Sequence, residues 1–157
     1  MQIHLSINAF LRDIQIISMP VQWTNGSRAP RSALWQPPPL DHVKFNVDAA
    51  VPSGKFGAVG VICRDVAGTF LGASSLTFQH IFDPVALEAL AVREALALAE
   101  DLYVHKIQVA SDCKIVVDEI KQGTSSNHAA IVHEIIERSN AFIACNFVHE
   151  FRSSNFE

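Results

Sequence analysis

Three acidic residues stand in runs of apolar neighbours, and that placement restricts the folds open to this chain more than any other feature. They are Asp48 in Lys44-Phe-Asn-Val-Asp-Ala-Ala50, Glu88 in Asp83-Pro-Val-Ala-Leu-Glu-Ala-Leu-Ala-Val92, and Asp112 in Ile107-Gln-Val-Ala-Ser-Asp112. An ionised carboxylate withdrawn from water without a partner costs several kcal/mol or takes up a proton. A fold that buries these segments must supply each acid with a cation, a proton or a task. Three acids converging on one place point to a metal site.

The 157 residues are 49% hydrophobic and 18% charged, which suffices for one substantial core and one domain. A net charge of −4 gives no global basic field of the kind that accompanies tight, sequence-independent nucleic-acid binding. A polyanionic partner must then be held locally or through cations. Cys63, Cys113 and Cys145 are odd in number, far apart and without a C-x-x-C pair, so neither a disulfide framework nor a zinc site is indicated. Reduced thiols fit an intracellular setting, with nucleus and cytoplasm not distinguished. No apolar run reaches the about 18 residues a membrane span needs, and the N-terminus lacks a basic flank before a clean apolar stretch. Both observations argue against a membrane span or a secretory signal.

Residues 1–43 differ in character from the rest. Scattered apolar residues up to Ser18 are followed by Pro20, Pro30 and Pro37-Pro38-Pro39, with Asn25-Gly26 between them. Consecutive prolines fix φ and remove donors, which favours an extended connector over residues 19–43 and a globular unit over residues 44–157. From Val43 the pattern turns to strands: Val43 to Ala50, Phe56 to Arg64 and Thr69 to Phe78, the last two divided by the turn Asp65-Val-Ala-Gly68. Asp83-Pro84 is a helix start, an N-cap followed by proline at the first helical position, and the Ala/Leu-rich run continues to about Leu102. A strand over Lys106 to Ala110, helices over Asp112 to Gln122 (closed by Gly123) and His128 to Phe142, and a strand over Ala144 to Phe151 complete the order β-β-β-α-β-α-α-β. The final strand is expected to set Cys145, Phe147 and Phe151 on one side.

Each acid has a plainer explanation. At about 100° per residue, Arg93, Glu94, Glu100 and Asp101 cluster on one side of their helix, and Glu88 points to the opposite, core-facing side. The macrodipole favours acids at a helix N-terminus, but Glu88 lies five positions past Asp83, beyond the turn where that effect is strong. Asp112 has the position of an N-cap, and Asp48 that of a solvated strand end. Against these stands geometry: sheets with parallel strands place their sites outside the strands' carboxyl ends, where Asp48 and Asp112 both fall. One shared site requires the three side chains to approach within about 8 Å, a span that two bridged cations cover.

Taken jointly, Lys44-Phe-Asn-Val-Asp48-Ala-Ala, Gly57-Ala-Val-Gly60-Val-Ile-Cys-Arg64-Asp65, Glu88-Ala-Leu-Ala-Val-Arg-Glu-Ala-Leu96, Ser111-Asp112-Cys113 and Val148-His-Glu-Phe-Arg152-Ser-Ser-Asn155 resemble the ribonuclease H-like domain of the reverse-transcriptase-related type abundant in plant genomes. The similarity covers roughly residues 41–157, and Trp35-Gln-Pro-Pro-Pro39 is similar to the segment that commonly precedes that domain. The resemblance implies an α/β fold with a mixed five-stranded sheet flanked by helices. It further implies cleavage of the RNA strand of RNA–DNA hybrids with Mg²⁺, or Mn²⁺ in its place, and it matches Asp48, Glu88 and Asp112 to the family's catalytic, metal-binding acids. Mg²⁺ takes hard oxygen ligands in octahedral geometry, with few protein carboxylates and the rest water and phosphate.

The family continues past the last strand into a helix carrying a fourth polar ligand, whereas this sequence stops at Glu157. The expectation is therefore a domain truncated at its C-terminus, and Glu157, a terminal residue, is a poor substitute for the missing ligand. Two other outcomes follow from that departure: a nucleic-acid-binding module that has lost turnover, or a retroelement-derived fragment. A monomer that binds nucleic acid is the expected assembly. His149 in the last strand reads as structural, and His128 and His133, five apart on a helix, do not share a face. Asp65 and Asp118 read as solvated, and Lys114, Lys121 and the arginines are too scattered to define a phosphate-tracking groove.

Overall fold

The computed structural model describes residues 35–151, so the expectations for residues 1–34 and for the chain beyond Phe151 lie outside the described residues. Five strands and three helices follow in the expected order: β1 (Val43–Ala50), β2 (Gly57–Arg64), β3 (Phe70–Phe78), α1 (Pro84–Asp101), β4 (Lys106–Ser111), α2 (Lys114–Gln122), α3 (Ala129–Ser139) and β5 (Ala144–His149). A short 3-10 turn, Pro52–Gly54, joins β1 to β2. The sheet order is β3-β2-β1-β4-β5. The β1–β2 and β2–β3 pairs are antiparallel, and β1–β4 and β4–β5 are parallel.

Alternation sorts the sheet into two faces. Phe45 pairs with Cys63 on one side and Val109 on the other, and Val47 pairs with Val61, so these side chains share a face. Leu87, Leu90, Leu96, Val116, Val132 and Ile135 from the helices join them in one core. Helix α1 lies close to the sheet because its inner positions are small: Ala89, Ala91, Ala95 and Ala99 are fully buried. Its start is held as the sequence predicts, with Asp83 Oδ1 accepting the Val85 N–H at 3.1 Å and proline in the first turn. Gly57, the first residue of β2, is part of the same fit. A Cβ there would stand 2.4 Å from Leu87 Cδ2 and 2.6 Å from the Ile81 carbonyl oxygen.

The hairpin turn between β2 and β3 also follows its chemistry. Asp65 Oδ1 accepts the Ala67 and Thr69 N–H groups, and Gly68 adopts a φ of +82°. Gly123 closes α2 with a φ of +81°. The last strand is shorter than its sequence suggests. It ends at His149, and Phe151 is 75% exposed instead of packing beside Cys145 and Phe147.

Its partner β4 ends at Ser111, opposite His149 of the last strand, and the residue after His149 is Glu150. Its backbone N–H still bonds the Ser111 carbonyl at 3.0 Å, but its carboxylate turns to the ammonium of Lys44, 2.5 Å away. Lys44 is completely buried on the sheet face opposite Phe45 and Val47. Its Nζ also donates to the Gln36 carbonyl at 2.6 Å and sits 5.5 Å from the centre of the Trp35 ring. The segment around Trp35, assigned by composition to the connector, thus packs against β1.

Two outcomes follow from this packing. Gly57→Ala is expected to cost about 1–3 kcal/mol in urea denaturation, because the clash is partly with backbone and cannot be relieved by a rotamer change. Glu150→Ala is expected to cost about 3–5 kcal/mol by leaving the Lys44 ammonium buried without its anion, whereas Lys44→Met combined with Glu150→Leu should recover most of that loss.

Candidate metal centre

Two of the three acids are placed by the parallel strand pair. The β1–β4 ladder ends at Asn46 opposite Ala110, and two residues further along each chain come Asp48 and Asp112. The pleat repeats every two residues, so both acids emerge beside one another past the last paired positions. On the antiparallel side Asp48 pairs with Gly60, which brings no side chain against it.

Glu88 reaches the same place from α1. It is 7% exposed, between the buried Leu87 and Ala89, as the helical periodicity requires. One ligand oxygen from each of Asp48, Glu88 and Asp112 lies within 4.8 Å of the others. The plainer alternatives for Glu88 and Asp112 differ from what the structure shows. The N-cap position of α2 is taken by Cys113, one residue past Asp112. Glu88 sits in the second turn of α1 and faces inward.

Ser111 is a member of the site that the sequence reading missed. Its hydroxyl donates to Glu88 Oε2 at 3.0 Å, and its oxygen accepts the Cys113 N–H at 3.1 Å. The signal was available in the alternation Ile107, Val109, Ser111, which puts this serine on the helix-facing side of β4. The other candidates lie elsewhere. Among the described residues, no histidine or cysteine joins the acid cluster. His128 pairs with Glu119 at 2.5 Å, His149 packs edge-on against Phe151, and Asp118 pairs with Lys114 on the surface of α2.

The electrostatics of Glu88 record the crowding. Burial first, then the neighbouring Asp112 charge and a smaller push from Asp48, raise its carboxyl to about 7 against the downward pull of the Ser111 hydroxyl and the Ala49 N–H. Burial likewise raises the Cys113 thiol, so this cysteine stays a neutral thiol beside the acids. Three hard oxygen donors, few in number and mutually repelling, are a set that suits a hard divalent cation.

A mixed five-stranded sheet in the order β3-β2-β1-β4-β5, with acids gathered at the carboxyl ends of its central parallel strands, defines a ribonuclease H-like domain. The family described as reverse transcriptase-like matches residues 46–156, and the chain belongs to it. Solved structures agree on the fold. The RNase H1 of Halobacterium salinarum is 19% identical with a TM-score of 0.62, over 73% of this chain and 89% of that one. The N-terminal RNase H domain of Rv2228c from Mycobacterium tuberculosis is 17% identical with a TM-score of 0.64, over 73% and 85%. LC11-RNase H1, isolated from compost and solved in complex with an RNA/DNA hybrid, is 16% identical with a TM-score of 0.57, over 72% and 88%. A search of curated proteins gave no match. Among the described residues, no helix is long and apolar enough to cross a membrane.

The raised Glu88 carboxyl has a consequence for stability. A carboxyl whose folded value lies above its unfolded one binds more protons in the native state, so its contribution is full below about pH 4.5 and is lost as pH rises to about 7. In EDTA, thermal unfolding should therefore show stability falling across that window, with Glu88 accounting for on the order of 3 kcal/mol. Glu88→Gln should flatten the slope, and Mg²⁺ at pH 7 should raise the midpoint of wild type more than that of the variant.

Proposed function

We propose that this chain binds RNA–DNA hybrids and hydrolyses their RNA strand, with divalent cations held by Asp48, Glu88 and Asp112. Mg²⁺ is the cation the donor set favours, with Mn²⁺ able to replace it. The observation that carries the proposal is the approach of three carboxylate oxygens to within 4.8 Å of one another at the carboxyl end of a ribonuclease H-like sheet. The hybrid bound by LC11-RNase H1 supports the choice of substrate class.

When bound, such ions activate an attacking water and stabilise the departing 3′ oxygen of an in-line phosphoryl displacement. The chain's own part is placement and proton control. Asp48 and Asp112 are presented on adjoining strand ends, and Glu88 closes the third side from the helix. Its carboxyl, lifted to about 7, holds a proton near neutrality and must give it up before it can act as a ligand. Activity should accordingly rise through neutral pH as that proton is lost.

The test is cleavage of a labelled RNA–DNA duplex by the purified full chain in Mg²⁺. Wild type is expected to cut the RNA strand and to stop in EDTA. Asp48→Asn should lower kcat/KM at least about 100-fold, equivalent to about 2.7 kcal/mol of transition-state stabilisation. Wild-type cleavage no faster than the Asp48→Asn variant, with hybrid still bound, would remove the catalytic claim and leave a binding module.

A further inference from the structure

The end of β4 carries two polar residues side by side, and only the second has been given a role in metal binding. Ser111 is 1% exposed and lies on the same side of the strand as the core residues Ile107 and Val109. A buried hydroxyl needs partners, and the two it has belong to different parts of the site. Its hydrogen goes to Glu88 Oε2 on α1, 3.0 Å away, and its oxygen receives the Cys113 N–H at 3.1 Å. The oxygen accepts from Cys113 with one lone pair, and the single hydroxyl hydrogen goes to the carboxylate.

Asp112 is enclosed by this arrangement. The bond from the Cys113 amide to Ser111 Oγ closes a short loop whose middle residue is Asp112, fixing the backbone from which that acid projects. The donation to Glu88 fixes the second acid. One hydroxyl therefore holds two of three mutually repelling carboxylates in register, one through backbone and one through side chain. Hydrogen-bond partners that orient ligating carboxylates ordinarily change metal affinity by about 10- to 100-fold.

We propose that Ser111 is a positioning residue of the metal centre, coupling the rotamer of Glu88 to the backbone turn that presents Asp112. The proposal rests on the metal-binding role assigned to the three acids. Its consequence is that divalent-ion affinity depends on a hydroxyl that need not touch the ion.

Calorimetric titration of the full chain with Mn²⁺ tests it, alongside amide hydrogen exchange at Cys113 in EDTA. Ser111→Ala and Ser111→Cys, the second nearly isosteric but a weak donor, are expected to bind Mn²⁺ 10- to 100-fold more weakly and to lose protection at Cys113. Ser111→Thr, which keeps the hydroxyl, should stay near wild type in both. Near-UV circular dichroism identifies the variants that retain native packing, and the near-isosteric Ser111→Cys supplies the comparison if the alanine variant does not fold. Wild-type affinity in folded Ser111→Ala or Ser111→Cys, or equal losses in Ser111→Thr and Ser111→Cys, would overturn the proposal while leaving the metal site intact. Wild type binding Mn²⁺ no better than an Asp48→Asn/Glu88→Gln/Asp112→Asn variant would instead end the metal assignment, and this proposal with it.

Discussion

A carboxylate on the buried side of a helix, facing two others on strand ends, is the constraint around which the rest of the molecule is arranged. Unit charges about 5 Å apart repel by about 3 kcal/mol at an effective dielectric constant near 20. Full burial of one leucine or valine side chain contributes about 1.5–3 kcal/mol. Leu87, Leu90 and Val92, all buried around Glu88, together contribute about 4.5–9 kcal/mol, enough to offset one such repulsion. The acids are thus held in place by apolar packing that surrounds them, and the helix cannot turn Glu88 outward without exposing those neighbours.

Why the helix sits where it does is a matter of small residues. Four fully buried alanines and the bare backbone of Gly57 let α1 approach β1 and β2 closely enough for a glutamate to span the remaining gap to the strand ends. The parallel ladder does the rest, since it ends at Asn46 opposite Ala110 and Asp48 and Asp112 follow two residues further along their chains. The three acids are contributed by elements distant in sequence, and no local segment contains a recognisable piece of the finished cluster.

Much of this was legible in the sequence because it is written in local patterns. The Asp83-Pro84 helix start, the Asp65-to-Gly68 turn, the closure of α2 at Gly123 and the inward direction of Glu88 each depend on residues within a few positions of one another. What was not legible depends on partners brought together by the fold. Ser111 stood in the sequence only as the neighbour of Asp112, and only the approach of α1 shows that its hydroxyl serves Glu88. The extension of the last strand to Phe151 followed from alternation alone; the strand stops two positions sooner, where its partner β4 runs out, and Glu150 pairs with Lys44, 106 residues away in the chain. Gly57 stood in a recognisable motif, yet its need to be glycine comes from Leu87 and Ile81 above it.

The three-way contact among Trp35, Gln36 and Lys44 bears on where this unit can be cut. Composition places a border after the proline run, but an excision beginning at Lys44 would strip away the indole face and the carbonyl that shelter its ammonium. Water would then flood the underside of β1 at the root of the strand that carries Asp48. A working fragment for expression should begin ahead of the tryptophan, with the prolines retained as the strap that carries it across the sheet.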